Sequence, residues 1–377
     1  MKEKSSVYPA WLLLTITTVI IVLSFLLFFL FFSKAEKTAK GSEDEVFVVA
    51  DSIEYEQLIG SLRSVFEKEI TTPQPEKLFT LKRMSVAQLE NNQRLKNIII
   101  AAPLNSVSQT SEYIKTIVDS SVEAKLASDN NFIDYKNDLW AKNQTVAIIS
   151  ANTINELNKK ILNNSDNLLN TFQKKSDERL FSNLYNPTYE KKNIEGKFLR
   201  DYGWVIYVQA DYVIALDKPG EKFVWLKQSP ASASDIELRI FVHWIDNANP
   251  DYLVKDSIKV IRNRLTREFY QSSDDTSYVV VSSDNFVVKE VNFNGRYAIF
   301  TQGLWELNIN GVSGPFVNYF FFDEKSKRIY MIDGSIYAPK HYKRNLIQQM
   351  DVTLQSFRTK SELTKERIDE LLDAIEN

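Results

Sequence analysis

The strongest constraint on this sequence is a run of residues without a charged side chain, at positions 10–32. A helix of these 23 residues would be about 34 Å long, which is enough to cross a hydrocarbon core of about 30 Å. Core helices of globular proteins are usually shorter and are rarely apolar on every side. The sequence therefore predicts one transmembrane helix over residues 10–32, preceded by a short flank at 1–9.

Two features bear on whether this segment stays attached to the protein. Lys2 and Lys4 form a short basic region ahead of it, and residues 33–35 have the small-x-small pattern of a signal-peptidase site. A cleavable signal, however, has an apolar region of only about 7–15 residues. Trp11 and Tyr8 also lie where aromatic side chains meet a membrane interface. We therefore expect an uncleaved anchor, with cleavage as the alternative.

The charges that flank the segment do not fix its orientation. Two lysines precede it and three follow it, at Lys34, Lys37 and Lys40. This difference points weakly to a cytoplasmic body, but large domains cross membranes largely regardless of such small differences. On charge alone, a body that faces the cytoplasm stays open as an alternative.

The composition excludes several classes of function. The 46 basic and 49 acidic side chains give a net charge of −3, so no overall field favours nucleic acid. The sequence has no cysteine, which excludes disulfides and cysteine-ligated metals. Its two histidines, His243 and His341, lack the spacing of a zinc motif. No glycine-rich nucleotide motif is present either, so we predict no cofactor, no metal site and no nucleic-acid partner.

The remainder of the chain divides by its hydrophobic patterns. Short apolar runs typical of buried strands occur at 46–50, 97–103 and 144–150, and amphipathic helical patterns separate them. Strands that alternate with helices indicate an α/β domain. The predicted order is a polar tether at 33–45, an α/β domain at 46–185, a linker at 186–200, an antiparallel α+β domain at 201–357 and an amphipathic helix at 358–377.

The second domain is predicted from longer β-rich runs joined by tight turns. Turn signals occur at 218–222, 293–296 and 323–327, and tight turns between strands imply antiparallel pairing. We expect this sheet to carry two helices on one face. The apolar stripe of the last helix, at 358–377, is expected to dock on the body, and a partner-binding helix is the alternative.

No sequence motif indicates catalysis. A Gly-Val-Ser-Gly-Pro segment approximates a nucleophile elbow, but Pro315 stands where that motif needs a glycine. His243 lies in a predicted strand, where a histidine is usually a hydrogen-bonded interior or edge residue. An enzyme would need a cleft with convergent carboxylates, and Asp211, Asp217 and Glu306 are the candidates for them. We assign no catalytic residue.

Four short segments in the C-terminal half resemble a known family. They are Gly303-Leu304-Trp305, Ser313-Gly314-Pro315-Phe316, Tyr337-Ala338-Pro339 and Lys343-Arg344. Together they resemble the uncharacterised bacterial family known as domain of unknown function 4837, whose members tend to have a second glycine where Ser313 stands. The resemblance extends over most of residues 46–357.

The resemblance implies a place in the bacterial envelope. Members of this family are typically envelope lipoproteins acylated on an N-terminal cysteine, and this chain has no cysteine to acylate. The segment at 10–32 would take the place of the lipid, which implies a single-pass protein of the cell membrane with an extracytoplasmic, periplasmic body. The family has no established activity, so no functional residues follow from it.

These observations together predict a membrane-anchored binding or scaffolding protein without catalytic activity. Its expected partners are the lipid bilayer, through residues 10–32, and an envelope protein or polymer. The alternative is a hydrolase that acts on an envelope polymer or lipid. Several aromatic and turn residues are candidates either for binding or for determining the fold: Trp225, Trp305, Gly314, Pro315, Phe316, Tyr337 and Pro339.

Overall fold

A computed structural model describes residues 37–228, 235–270, 277–283, 286–309 and 311–376. The predicted flank at 1–9 and the predicted membrane segment at 10–32 lie outside these ranges. Within them, no helix is both long enough and apolar enough to cross a membrane. The described chain has a mixed α/β fold with one large sheet in each half.

The first half is built on a sheet of five strands with a small hairpin beside it. The hairpin consists of β2 (Glu69–Ile70) and β3 (Glu76–Lys77), and the sheet consists of β1 (Glu45–Val49), β4 (Thr80–Met84), β5 (Asn97–Pro103), β6 (Asp134–Asn137) and β7 (Thr145–Ala151). The order is β4-β1-β5-β7-β6, parallel except for β6 at the edge. Every residue of β5 and β7 is buried, which explains why both are apolar runs without alternation.

In the described residues of this half, six helices cover both faces of the sheet. They are α1 (Ser52–Phe66), α2 (Val86–Asn92), α3 (Gln109–Ile117), α4 (Ser120–Ser128), α5 (Ile154–Asn163) and α6 (Ser165–Leu184). Helices α1, α5 and α6 pack on one face, and α2, α3 and α4 pack on the other. Capping boxes at Ser85 and Thr153 begin α2 and α5, because each hydroxyl accepts a backbone N–H three residues on.

The second half is built on an antiparallel sheet. Its strands are β9 (Tyr212–Lys218), β10 (Phe223–Gln228), β11 (Glu237–Ile245), β12 (Val279–Val281), β13 (Val287–Phe293), β14 (Arg296–Leu307), β15 (Ser313–Asp323) and β16 (Arg328–Tyr337). The order is β12-β14-β15-β16-β11-β10-β9, and β13 also pairs with β14. Lys222, Asn294 and Lys327 adopt positive φ in the three turns that the sequence predicted. Outside this sheet, a short β8 (Trp204–Val205) pairs with β17 (Arg358–Thr359).

Helices cover both faces of the second sheet, so the prediction of two helices on one face was wrong. Helix α8 (Lys255–Phe269) packs on the face that carries Phe241 and Phe316. Helices α7 (Lys192–Tyr202) and α9 (Arg344–Leu354) pack on the opposite face. The physical reason is that β15 and β16 carry buried side chains on both sides, which demands a cover on each face.

Two segments predicted to be connections are ordered parts of the body. Most of the predicted linker at 186–200 belongs to α7, which begins at residue 192. The predicted tether at 33–45 is bound to the body from residue 37 onward, since Ala39 N donates to the Lys142 carbonyl oxygen at 2.9 Å. Both predictions rested on polar composition, which does not distinguish a free segment from one whose backbone is paired.

The last helix, α10 (Lys365–Glu376), docks on α7. Leu371 of this helix is fully buried against Leu199 and Val205. A Cβ at Gly196 would overlap the Leu371 carbonyl oxygen, so the close approach of the two helices requires a glycine there. The helix predicted at 358–377 therefore begins later, at Lys365, because residues 358–359 belong to β17, and its described residues dock on the body.

An ion pair lies between α8 and the sheet in the centre of the second half. Arg262 Nε is 2.7 Å from Asp333 Oδ2, and both side chains are fully buried. Asn318 Nδ2 and the Ser335 hydroxyl donate further hydrogen bonds to the same carboxylate. The Arg262 guanidinium also lies 3.8 Å from the centroid of the Phe316 ring. A polar contact inside an apolar core thus fixes the helix to the sheet.

Replacing Arg262 by methionine should lower the free energy of unfolding by about 3–5 kcal/mol, because Asp333 would stay buried without its cation. Lys255→Met is a matched control on the same helix, since the pair of Lys255 with Glu290 is exposed. The control should leave the free energy of unfolding nearly unchanged, because solvent screens an exposed pair. Urea denaturation measures both values, and equal costs would contradict the role of the buried pair.

Candidate functional site

Four of the seven residues singled out in the sequence pack inside the second half. Trp305 is buried and its Nε1 donates to the Ile336 carbonyl oxygen at 3.1 Å. Its ring covers Gly314, where a Cβ would lie 2.9 Å from the indole. Pro315 and Phe316 are buried beside it. These positions hold the sheet and its cover together.

The other three residues lie nearer the surface. Trp225 is half-buried and packs on Tyr270, with ring centroids 4.5 Å apart. Tyr337 is half-buried, with its ring 6.2 Å from Trp305, and Pro339 is exposed. None of the seven residues lines the groove described below.

The three carboxylates considered for a catalytic pair do not converge. Asp211 and Asp217 lie at β9, whereas Glu306 lies on β14, and four strands separate β14 from β9. At about 4.8 Å per strand, the separation along the sheet is on the order of 20 Å. Asp217 also accepts a hydrogen bond from the Tyr202 hydroxyl and pairs with Lys197. These residues therefore cannot form one catalytic centre.

The carboxyl ends of the parallel strands, where α/β proteins often bind ligands, are filled by side chains of this chain. The strand order reverses between β1 and β5. At this point Asp51 Oδ1 accepts hydrogen bonds from Thr110 N at 3.1 Å and from the Thr110 hydroxyl at 2.7 Å. Glu54 accepts another from the Ser108 hydroxyl at 3.0 Å. The N-terminus of α3, which could otherwise hold an anion, is thus capped by a carboxylate.

A buried carboxylate joins the two halves. Glu76, in β3, accepts hydrogen bonds at its Oε2 from Lys343 N at 2.7 Å and from Arg344 N at 2.9 Å. These N–H groups lie at the start of α9, where the helix dipole favours negative charge. Arg344 Nε in turn donates to the Leu78 carbonyl oxygen at 2.8 Å. Helix α9 is therefore docked on the first half as well as on its own sheet.

A buried network extends this junction. Glu43 accepts hydrogen bonds from Arg179 Nε and from the Ser176 hydroxyl, both at 2.9 Å. The Ser176 hydroxyl accepts another from Gln348 Nε2 of α9 at 2.9 Å. Arg179 also donates to Asn97 Oδ1 at 2.8 Å. The network links β5, α6 and α9 and fixes α9 relative to α6.

Helices α6 and α9 line a groove between the two halves, which we call the junction groove. It has two adjacent compartments, of about 550 Å³ and about 220 Å³, that share Gln173 and Asp177. The larger compartment is lined by Asn170, Gln173, Lys174, Asp177, Glu178, Phe181, Val352 and Gln355. The smaller is lined by Ile70, Leu78, Gln173, Asp177, Lys289, Phe300, Gln302, Val317, Arg344, Ile347, Gln348 and Asp351.

The junction groove is rich in carboxamides, and its charges balance. Its carboxamide side chains are Asn170, Gln173, Gln302, Gln348 and Gln355. Its acidic and basic side chains are equal in number: Asp177, Glu178 and Asp351 against Lys174, Lys289 and Arg344. Balanced charge does not select an ion, whereas a carboxamide can donate and accept hydrogen bonds at once. The lining therefore suits a neutral polar ligand.

Two carboxyl groups in the groove have raised pKa values. Burial raises the pKa of Asp351 to about 6, and burial also raises the pKa of Asp177. Asp351 accepts hydrogen bonds from the Tyr319 hydroxyl at 2.6 Å and from Gln355 Nε2 at 3.0 Å. Asp177 accepts one from Gln348 Nε2 at 2.5 Å. Near pH 6, Asp351 therefore exchanges a proton at a position fixed by its neighbours.

An aromatic ring lies at the surface of the larger compartment. Phe181 is 45% exposed and stacks on Tyr185, with centroids 4.0 Å apart and planes 23° apart. Tyr185 is held in turn, since its hydroxyl donates to the Val352 carbonyl oxygen at 3.0 Å and its ring packs on Tyr207. Phe181 is thus a supported platform on which an apolar ligand face could pack.

The described residues contain no group of three or more histidine, cysteine, aspartate or glutamate side chains that could hold a metal ion. His243 is buried in β11, with its Nδ1 2.9 Å from the Lys222 carbonyl oxygen. Burial lowers the pKa of His243 to about 4. His341 is exposed before α9. Both histidines therefore lie apart from the junction groove.

Sequence reasoning missed the residues of the groove. Asp177, Phe181 and Asp351 lie on two helices, α6 and α9, that are far apart in sequence. Isolated charged or aromatic residues on a helix carry no pattern that separates a ligand contact from a solvated position. The Lys343-Arg344 pair was singled out in the sequence and does lie at the junction. The pair marks the docking of α9, and Arg344 also lines the smaller compartment of the groove.

Two family models match this chain. Residues 190–356 match the model of the domain of unknown function DUF4837, which confirms the resemblance noted in the sequence. Residues 39–185 match the model of a different domain of unknown function, DUF8532, so the first resemblance does not extend into the first half. No curated protein matches the chain.

Several solved structures show a distant likeness. The Ran-binding protein Mog1p of Saccharomyces cerevisiae is 10% identical, over 42% of this chain and 90% of that chain, with a TM-score of 0.29. A point mutant of Mog1 gives 10% identity, the same coverages and a TM-score of 0.28. A Bacteroides thetaiotaomicron protein gives 5% identity, over 44% of this chain and 47% of that chain, with a TM-score of 0.25. Likeness at this level carries no argument about this chain.

Replacing Glu76 by alanine should loosen the contact between the two halves, because Lys343 N and Arg344 N would lose their buried acceptor. The expected cost is about 1–3 kcal/mol of local stability. Amide hydrogen exchange at the start of α9 should therefore become faster. Glu69→Ala, at an exposed position of the same hairpin, is the matched control. If hydrogen exchange at the start of α9 is equally slow in Glu76→Ala and Glu69→Ala, the Glu76 carboxylate does not hold the two halves together.

Replacing Asp351 by asparagine should change how stability depends on pH. The folded pKa of Asp351, about 6, lies above its ordinary value of 3.8. Its contribution to stability is therefore fully present below about pH 4 and is lost as the pH rises through about 6. Asparagine cannot ionise, so Asp351→Asn should gain stability relative to the native chain across this range. Urea denaturation of both chains at a series of pH values tests this prediction. Free energies of unfolding that change with pH in parallel for the two chains would contradict the raised pKa of Asp351.

Proposed function

We propose that this chain, whose residues 190–356 match the DUF4837 family, is a membrane-anchored protein that binds a hydroxyl-rich polymer of the bacterial envelope. Residues 10–32 hold it in the cell membrane as a single-pass protein, and its body lies in the periplasm. The junction groove receives the polymer. Binding, rather than catalysis, is the proposed activity.

The proposed anchoring rests on the sequence. Residues 10–32 are uncharged over 23 positions, which is long enough to span a bilayer as a helix. The chain has no cysteine for acylation, so we infer that this segment takes the place of the lipid that the resemblance to an envelope lipoprotein family implies. The periplasmic side of the membrane follows from the resemblance to an envelope family, which is an argument by analogy.

The exposed Phe181 ring among carboxamides is the observation that carries the proposed ligand. A sugar ring presents hydroxyl groups around its edge and C–H groups on its faces. Gln173 suits the hydroxyl groups, because a carboxamide both donates and accepts hydrogen bonds. Gln355 donates its Nε2 to Asp351 and offers its Oε1 as an acceptor. Phe181 suits the C–H face, because it is apolar and is held in place from behind by Tyr185. The balanced charge of the groove favours a neutral polymer over an ion.

A hydrolase that cleaves the same polymer is the second candidate. Asp177 and Asp351 line one compartment, and glycoside hydrolysis commonly uses two carboxyl groups, one of which holds a proton near neutral pH. The raised pKa of Asp351 suits that acid. Asp351 accepts a hydrogen bond from the Tyr319 hydroxyl, and Asp177 accepts one from Gln348 Nε2. These contacts suit binding equally well, so we place binding first.

Replacing Phe181 by alanine should weaken binding of the full-length protein to purified peptidoglycan glycan strands, with their lactyl carboxyl groups converted to neutral amides, by about tenfold. This corresponds to ~1.4 kcal/mol, the scale of one aromatic contact. Tyr252→Ala is the matched control, since Tyr252 is 61% exposed and lies just before α8, outside the groove. Co-sedimentation of the detergent-solubilised protein with the insoluble strands measures the effect.

The same assay separates binding from hydrolysis. Soluble reducing ends that accumulate with the native chain and not with Asp351→Asn would establish the hydrolase instead. Absence of binding by the native chain would overturn the proposed ligand. Equal weakening by Phe181→Ala and Tyr252→Ala would overturn the proposed role of the groove.

A further inference from the structure

The described chain enters the body along one edge of the first half. Lys142 N donates to the Lys37 carbonyl oxygen at 3.1 Å, and Lys40 N donates to the Arg94 carbonyl oxygen at 2.7 Å. Arg94 Nη2 donates back to the Thr38 carbonyl oxygen at 2.8 Å. Residues 37–40 are therefore fixed beside the amino ends of β5 and β7, and no free tether begins after residue 36.

The short connection limits how far this edge can lie from a membrane. Residues 33–36 separate the proposed span at 10–32 from the fixed residue Lys37. Even fully extended, the chain between residues 32 and 37 reaches at most about 17 Å. The thickness of one headgroup layer takes up part of that reach. The edge that carries Lys37 therefore lies within about 17 Å of the end of the proposed span, which is near enough for it to dock on the headgroups.

This edge carries more basic than acidic side chains, although Asp44 and Glu45 at the amino end of β1 also lie at this end of the strands, with Glu45 paired to Lys82. Lys37, Lys40 and Lys142 are exposed, and the guanidinium of Arg94 lies among them. Asp138, in the loop that contains Lys142, is the acidic side chain of that loop, and its Oδ1 accepts a hydrogen bond from Gln144 N at 3.1 Å. Basic residues close to a membrane surface attract anionic headgroups within about a Debye length.

The loop between β6 and β7 adds apolar side chains to the same edge. Leu139 is 39% exposed at its tip, and Trp140 is half-buried beside it. Tryptophan and leucine next to lysine are the side chains that occupy a membrane interface, because the rings and apolar groups enter the headgroup layer while the ammonium stays in water. The basic residues and the apolar tip lie on the side from which the chain leaves toward the proposed span.

We propose that this face, formed by Lys37, Lys40, Arg94, Leu139, Trp140 and Lys142, docks on the surface of anionic phospholipids. We call it the membrane face. The inference rests on the proposed anchoring through residues 10–32 and adds a fixed orientation to it. With the membrane face against the headgroups, the carboxyl ends of β1, β5 and β7 point away from the bilayer.

Single-cysteine labelling of the full-length chain tests this orientation, because the sequence has no native cysteine. An environment-sensitive fluorophore is attached at Leu139→Cys, and a matched probe is attached at Val107→Cys. Val107 is 98% exposed and lies beyond the carboxyl end of β5, at the opposite end of the strands. The labelled proteins are reconstituted in vesicles of phosphatidylcholine and phosphatidylglycerol, about 3:1, that contain nitroxide-labelled lipid.

The membrane face predicts strong quenching of the probe at residue 139 and little quenching at residue 107. Lys37→Glu with Lys142→Glu should remove most of the quenching at 139, as should vesicles of phosphatidylcholine alone. Equal quenching at both positions would overturn the inference, and so would quenching at 139 that is insensitive to charge.

Alkaline carbonate extraction separates the two proposals. A chain that is extracted refutes the anchoring itself, whereas an anchored chain without quenching at 139 refutes the membrane face alone.

Discussion

The buried Glu76 carboxylate at the start of α9 is the contact on which the arrangement of the two halves depends. Each half has its own sheet and its own apolar core, and each matches a different family model. Helix α9 belongs to the second half by sequence and by packing, since Met350 and Leu354 lie in the core of that half. Glu76, which belongs to the first half, accepts hydrogen bonds from the N–H groups at the start of α9. Because α6 and α9 come from different halves, the junction groove depends on this contact together with the hydrogen bonds of Gln348 to Ser176 and Asp177.

Buried charge is used in this protein to position helices. Arg262 and Asp333 fix α8 to the second sheet, and Glu43 and Arg179 fix α6 near the junction. Such pairs contribute little net stability but penalise any packing that separates the partners, because a lone buried charge is costly. The junction groove follows from this rigidity. Its walls are held in place before any ligand arrives, which lowers the entropic cost of binding.

Local patterns in the sequence predicted the elements of the fold better than their assembly. The apolar runs of β5 and β7 and the turns at Lys222, Asn294 and Lys327 follow from short-range rules, and the structure contains all of them. The placement of helices on both faces of the second sheet was not predicted. In the sequence, α8 and α9 have similar amphipathic patterns, and such a pattern does not show on which face of a sheet the helix packs. The groove could not be predicted either. Its contacts join α6 to α9, and only the tertiary packing of the two halves brings those helices together.

Hydrogen exchange on the full-length chain, with and without soluble peptidoglycan glycan fragments whose lactyl carboxyl groups are amidated, is the most direct test of a groove shared by both halves. Binding should slow exchange together in α6 around residues 173–181 and in α9 around residues 348–355. Protection confined to one half, or protection at the exposed end of the second sheet near Trp225 without any at α6 and α9, would contradict a ligand site at the junction.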